Sequence, residues 1–197
     1  MAVSLSLESA TWVRPFLGEP LAGDAAIVRE VEDGLVVAMV DVLGHGIEAH
    51  DVAVRIVDFL QRSTLSDPET LMTGLHHHLR GSRGAAAGIC HINTNDGVLR
   101  YVGHGNTRAR RLWQQPSRLV SKDGLIGSAI RGHNLQTMAI EPGDVLLFYT
   151  DGVTDRFDLD DYRHAISDTA RSLARNVVEM FGKDYDDAAC IAIRVTA

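Results

Sequence analysis

Six consecutive apolar residues, Leu35 to Val40, run straight into a carboxylate, Asp41. An apolar run of that length reads as a strand buried on both faces. A carboxylate closing such a strand costs free energy unless a cation or hydrogen-bond donors meet it. Immediately after it, Val42-Leu43-Gly44-His45-Gly46 sets two glycines one residue apart, where the backbone can turn sharply and come close to another group. The remaining chain must therefore cover both faces of this strand and supply whatever Asp41 needs.

Upstream, Glu32-Asp33-Gly34 separates the run from a second apolar segment, Ala25 to Val31. Asp-Gly between two strand-like segments is the strongest short hairpin signal. The hairpin predicts antiparallel pairing and brings Asp24, at the start of one strand, beside Asp41, at the end of the other. Downstream, Ile47 to Leu65 carries apolar residues at helical spacing. A second helix opens at Asp67-Pro68-Glu69, with Asp67 as N-cap and Pro68 in the first helical position, and ends at Gly81 to Gly84.

Strand patterns then recur at Ala86 to Asn93, Val98 to Val102, Arg108 to Trp113, Leu119 to Ser121, Leu135 to Ile140, Val145 to Tyr149 and Ala188 to Val195, with another at Ser4 to Val13. Gly103 to Asn106 and Gly124 to Gly132 read as loops, and Asp160 to Phe181 as one long amphipathic helix. Most strands are joined by hairpins and the helices are few. The expected class is α+β: a sandwich of two largely antiparallel sheets flanked by helices. Residues 1–197 form one expected domain, with no linker, repeat or low-complexity tract.

Composition narrows the function. A net charge of −7 gives no general basic footprint for nucleic acid, and Arg108-Ala109-Arg110-Arg111 reads as a local anion contact or solvated edge. No apolar run approaches the ~20 residues that span a bilayer, and the N-terminus lacks the charged and apolar regions of a signal peptide. Cys90 and Cys190 sit in strand-like runs outside any CxxC pair, which suits buried reduced thiols in a cytoplasmic protein.

Four acidic positions share one placement. Asp24 opens a strand, Asp41 closes its partner, Asp151 follows the buried strand Val145 to Tyr149, and Asp186-Asp187 opens the last strand. Aspartate is common in turns, so any one of these is unremarkable alone. Together they would crowd one rim of a sandwich, where carboxylates repel unless cations neutralise them. Oxygen ligands select hard divalent ions such as Mg²⁺ or Mn²⁺, and two such ions can activate a water for in-line attack on a phosphoryl group.

Gly23-Asp24, Asp41-Val42-Leu43-Gly44-His45-Gly46, Thr150-Asp151-Gly152-Val153-Thr154-Asp155 and Asp186-Asp187 occur in the order of the motifs of the metal-dependent protein phosphatases. The chain resembles their SpoIIE-like bacterial serine/threonine subgroup from about Gly23 to Val195. The resemblance implies a two-sheet sandwich with two Mn²⁺ or Mg²⁺ ions at one rim and water as the nucleophile. By position it makes Asp41 the carboxylate shared by both ions, the Val42 carbonyl a ligand of the first, Asp151 and Asp186 ligands of the second, and Asp24 an acid near the first. Asp24 and Asp41 are thus the expected catalytic acids.

Two departures stand out. Val42 replaces a usual glycine, and Ala189 replaces a usual threonine, which leaves both Asp186 and Asp187 open as the ligand; position favours Asp186. The chain shows no sensor, receiver or coiled-coil segment before Gly23. In size and motif style the chain resembles the phosphatases that reset the bacterial stressosome, and that resemblance implies phosphoserine or phosphothreonine on STAS-domain scaffold and antagonist proteins of that complex. The alternatives are a phosphatase-fold module that binds phosphoprotein without turnover and a hydrolase of small phosphate esters.

Other motifs point elsewhere or nowhere. His76-His77-His78 point in three directions on a helix and cannot chelate one ion well, so a solvated helix end is expected. His45 lies between the two glycines, where contact with substrate phosphate and shaping of the turn are both open; His104 reads as a structural loop residue. HExxH, GxxxxGK[ST] and GxSxG motifs are missing, so zinc peptidase, P-loop and serine-hydrolase chemistry have no support.

Overall fold

The computed structural model describes residues 5–112, 116–155 and 169–197. In chain order the first elements are β1 (Ser6–Arg14), β2 (Asp24–Val31), β3 (Gly34–Val42), α1 (Ile47–Arg62), α2 (Pro68–His78), β4 (Ala85–Asn93) and β5 (Val98–His104). They are followed by β6 (Arg108–Arg111), β7 (Ser117–Leu119), β8 (Gly124–Leu125), β9 (Ala129–Ile130), β10 (Gln136–Ala139), β11 (Val145–Tyr149), α3 (Ala170–Phe181) and β12 (Ala188–Thr196). Among the described residues these form two five-stranded sheets, ordered β1-β12-β11-β6-β7 and β10-β5-β4-β3-β2, and a small β8-β9 ribbon. Every strand pairing within the two large sheets is antiparallel. The fold is the expected α+β sandwich.

Alternation along β3 explains its unbroken hydrophobicity. Val36, Ala38, Val40 and Val42 pack with Ala49, Val52, Ile56 and Leu60 of α1 and Leu71, Met72 and Leu75 of α2. Leu35, Val37 and Met39 point the other way, against Leu146 and Phe148 of β11 and Ile191 and Ile193 of β12. A third apolar layer sets Leu173, Ala174, Val177 and Val178 of α3 on Leu147, Tyr149, Cys190 and Ala192. The order of layers is therefore helices, sheet, sheet, helix, with both cysteines free and buried in strands. Each fully buried leucine or isoleucine in these layers contributes about 1.5–3 kcal/mol.

Several boundaries differ from those read in the sequence. β3 runs through Asp41 to Val42, which pair with Ala86 and Ala85 of β4, so the turn begins only at Leu43. β5 continues to His104, which is a buried strand residue and not part of a loop. α1 stops at Arg62 because Ser63 is already extended, in a segment of poor helix formers. β7 occupies Ser117–Leu119, two residues earlier than expected, and the glycine-punctuated loop contains the β8-β9 ribbon. α3 begins only after Thr169, an extended residue whose side chain accepts from Ser172 N and caps it; residues 160–168 of the long helix expected from Asp160, and Trp113 of another expectation, lie outside the described residues. α2 begins as expected, with Asp67 accepting from Thr70 N at 2.8 Å.

Candidate metal centre

In β2 and β3 the side chains on the inter-sheet face include Ala26 and Val28 of one strand and Leu35, Val37 and Met39 of the other. Two-residue alternation places Asp24 and Asp41 on that same face, and the register makes them direct cross-strand partners. They sit at the rim, where both sheets end. On the opposing sheet, Leu146, Phe148, Ala189 and Ile191 set the inward face, and Thr150 and Asp187 continue it. Thr150 closes the gap between sheets: Oγ1 donates to Asp24 Oδ2 at 2.7 Å and accepts from Ala189 N at 3.0 Å.

Gly152 explains how Asp151 reaches this rim. A Cβ at that position would lie 1.7 Å from the Asp187 carbonyl oxygen, so only glycine lets the loop after β11 press against the start of β12. Lys183 holds the same loop, donating from Nζ to the Asp151 carbonyl at 2.5 Å. On the other side, the turn after β3 needs Gly44, with φ at 83°, and Arg83 fixes it by donating to the Leu43 carbonyl at 3.0 Å while pairing with Glu48. Val42 itself is an ordinary strand residue, which is why valine is tolerated where a tight turn was expected.

The acids feel one another. Burial, then Asp151, then Asp186 push the Asp41 carboxyl up to about 7, against a hydrogen bond from Asn106 that lowers it. Burial and then Asp41 hold Asp24 well above the usual carboxylate range, although the Thr150 hydroxyl opposes this. Asp186 is raised by burial and by Asp151, with Lys183 pulling it down. Asp24, Asp41, Asp151 and Asp186 thus share one electrostatic field. Their donor atoms are all oxygens, the set that hard divalent ions prefer.

Among the described residues, no three carboxylate, imidazole or thiol groups close around a single point as an all-protein cage would. Hard divalent ions keep several of their own waters and do not need such a cage. The residues present fit such ions.

Asp187 has a different environment. Its Oδ1 accepts from Phe16 N at 2.6 Å and its Oδ2 from Gly23 N at 2.7 Å. Both oxygens are committed to backbone, tying the start of β2 to β12.

The sequence reading missed Thr150 as a bridge, Asn106 as the partner of Asp41, and Asp187 as a tie. Thr150 stood within the quoted motif, but nothing in the sequence showed that it faces Asp24. The histidines are away from the acids in their contacts. His45 Nδ1 lies 3.2 Å from Glu19 Oε1 and its ring tilts against Phe16. His76 is half-buried and accepts from Gly127 N, whereas His77 and His78 are exposed as a solvated helix end would have them, His78 stacking on Phe59. His104 meets His133, with Nε2 3.1 Å from Nδ1.

The family model of Stage II sporulation protein E (SpoIIE) matches residues 32–196. The phosphoserine phosphatase RsbX of Bacillus subtilis (strain 168) is 24% identical over 140 residues, 69% of each chain. Among solved structures, a chain from work on the bacterial stressosome as a modular system for secondary messenger signalling superimposes with a TM-score of 0.89 at 27% identity, covering 96% of this chain and 100% of the other. RsbX in complex with magnesium superimposes with a TM-score of 0.83 at 20% identity, covering 96% of each.

Fold and relatives together define the class, a serine/threonine phosphoprotein phosphatase. Within that class, the chain belongs to the SpoIIE family.

Proposed function

We propose that Asp24, Asp41, Asp151 and Asp186, with the Val42 carbonyl, hold two divalent ions, Mg²⁺ or Mn²⁺, and that the protein removes phosphate from phosphoserine and phosphothreonine of STAS-domain proteins in a stressosome-type complex. The observation that carries the site is the registered pair Asp24–Asp41, whose field extends to Asp151 and Asp186. The partner class rests on the likeness to RsbX and to the stressosome chain. A cytoplasmic location suits two free buried thiols. Among the described residues no helix is long and apolar enough to cross a membrane.

When bound, the two ions would lower the pKa of a water and screen the phosphate charge. The chain's own part is positioning. Asp41 presents its carboxylate beside its cross-strand partner Asp24 and within the field of Asp151 and Asp186. Asn106 beside it favours the charged form, and Thr150 fixes Asp24. Asp186 is the ligand of the acidic pair, because both Asp187 oxygens already accept backbone hydrogen bonds.

The test is phosphate release from a phosphoserine STAS-domain protein with Mn²⁺, with chelator, and in Asp41→Asn. Release that needs the ion and falls at least 100-fold in the variant supports the reading. Release that is indifferent to chelator and to the substitution sinks it, whereas tight binding without release would make the chain a phosphoprotein-binding module.

A further inference from the structure

Beside the acidic rim lies a cavity of about 510 Å³ whose wall includes Asp41, Asn106, Arg108, Ser121 and Asp123. Arg108 is the one basic side chain among the residues that line it. Two carboxylates on the wall make this an unfavourable place for an anion unless cations offset them. A phosphoryl group entering the cavity would need a donor besides any ions at the rim, and guanidinium suits it because its planar fork matches phosphate oxygens.

The position of Arg108 is built, although the side chain is exposed. It opens β6 directly across from Tyr149, the last residue of β11. Its Nη1 donates to the Asn106 carbonyl at 2.7 Å, and its Nε lies 3.8 Å from Asp155 Oδ2. Among the described residues these are its polar contacts, and they leave Nη2 available to a ligand. Asp155 is itself held: Tyr149 Oη donates to Oδ1 at 2.5 Å and Arg118 Nη1 donates to Oδ2 at 3.1 Å. Tyr149 is fully buried, so the anchor of this relay belongs to the core. A surface arginine steered only by solvent would lack such a brace, and exposed ion pairs by themselves contribute little stability.

We propose that Arg108 is the residue that grips the phosphoryl group of the substrate, and that Asp155, braced by Tyr149 and Arg118, is the positioning residue that aims it into the cavity. The proposal rests on the phosphatase reading above and assigns a specificity determinant in the cavity that Asp41 also lines. It also gives the last acid of Thr150-Asp151-Gly152-Val153-Thr154-Asp155 a task distinct from that of Asp151.

The experiment compares full-length wild type, Arg108→Ala, Arg108→Lys and Asp155→Asn, all with Mn²⁺, on a phosphoserine peptide, and measures inhibition by inorganic phosphate. Arg108→Ala should raise KM and the inhibition constant of phosphate by roughly 10- to 100-fold, as loss of a charge-assisted contact implies. Thermal midpoint and Mn²⁺ titration should stay as in wild type. Arg108→Lys should recover part of the loss, and Asp155→Asn should reproduce a smaller rise in KM with little change in kcat. Values of KM and phosphate inhibition within twofold of wild type in Arg108→Ala would overturn the proposal.

Should the wild type release no phosphate at all, the phosphatase reading fails while this inference remains testable by calorimetry of inorganic phosphate with Mn²⁺ present. Phosphate heat lost in Arg108→Ala supports it; equal heat in both proteins, or none in wild type, overturns it.

Discussion

Thr150 joins the two sheets by donating its hydroxyl hydrogen to Asp24 across the rim, at 2.7 Å, while accepting from Ala189 N on its own side. Thr150→Val keeps the shape and removes both bonds, leaving a buried carboxyl and a buried N–H without that partner. Unfolding free energy should fall by about 2–4 kcal/mol, since each stranded buried group costs ~1–3 kcal/mol. Thr150→Ser should recover most of it. Urea denaturation of the three proteins checks this; a valine variant as stable as wild type would contradict the bridge.

Asp186 and Asp187 are adjacent but should respond oppositely. Asp187 holds Phe16 N and Gly23 N, so Asp187→Ala should cost stability, about 2–4 kcal/mol for a carboxylate with two backbone donors. Asp186 is raised by burial and by Asp151, so Asp186→Asn removes a repulsive charge. The metal-free protein should be no less stable, while affinity for Mn²⁺ drops at least tenfold. Thermal midpoints in chelator and calorimetric Mn²⁺ titrations separate the two roles; interchanged phenotypes would make Asp187 the ligand.

The crowded acids give the metal-free protein a distinctive pH dependence. Asp41 titrates at about 7 in the folded chain, against roughly 3.9 when unfolded. Between those values the folded state holds a proton that the unfolded state has released, so stability falls as pH rises from about 4 to 7 and this contribution is flat above. Asp24 and Asp186, shifted in the same direction, add to the slope. Divalent ions replace those protons, so Mn²⁺ affinity should climb with pH to about 7 and level off. Thermal midpoints with chelator and with Mn²⁺ from pH 5 to 8 would display both trends; a metal-free midpoint that rises steadily over this range would contradict the coupling.

Gly152→Ala places a methyl where the Asp187 carbonyl oxygen now sits, 1.7 Å away. The loop after β11 must withdraw from β12, carrying Asp151 with it. A loss of more than ~2 kcal/mol, the range for overpacking against backbone, should accompany weakened Mn²⁺ binding. Gly132→Ala, at φ 58° in a loop with no atom near the new methyl, is the control: it strains its own backbone but should leave Mn²⁺ binding intact.

Much of this site could be read from the chain because local rules reach far in hairpins. The turn at Glu32-Asp33-Gly34 was enough to set the start of one strand, Asp24, beside the end of the other, Asp41. The identity of the acid beside Asp151 was not readable in that way. Asp186 and Asp187 differ only in which face of the chain they occupy, and that depends on contacts with Phe16 and Gly23, more than 160 residues away. Asn106 was invisible for a similar reason: a loop asparagine has many uses, and its hydrogen bond to Asp41 appears only once β4 and β5 lie side by side. The start of α3 after Thr169 was not readable because amphipathic spacing passes straight through a capping residue. His104 looked like loop between glycines, yet the β4–β5 ladder extends to pair it with Ala87.

The central claim is that Asp24, Asp41, Asp151 and Asp186 converge because two ions sit among them. Anomalous diffraction from crystals soaked in Mn²⁺ tests it most directly. Two peaks a few ångströms apart, both beside Asp41, one toward Asp24 and the Val42 carbonyl and one toward Asp151 and Asp186, are the expected result. Peaks elsewhere on the surface, or a rim that stays free of manganese while Asp41 turns to other partners, would contradict it.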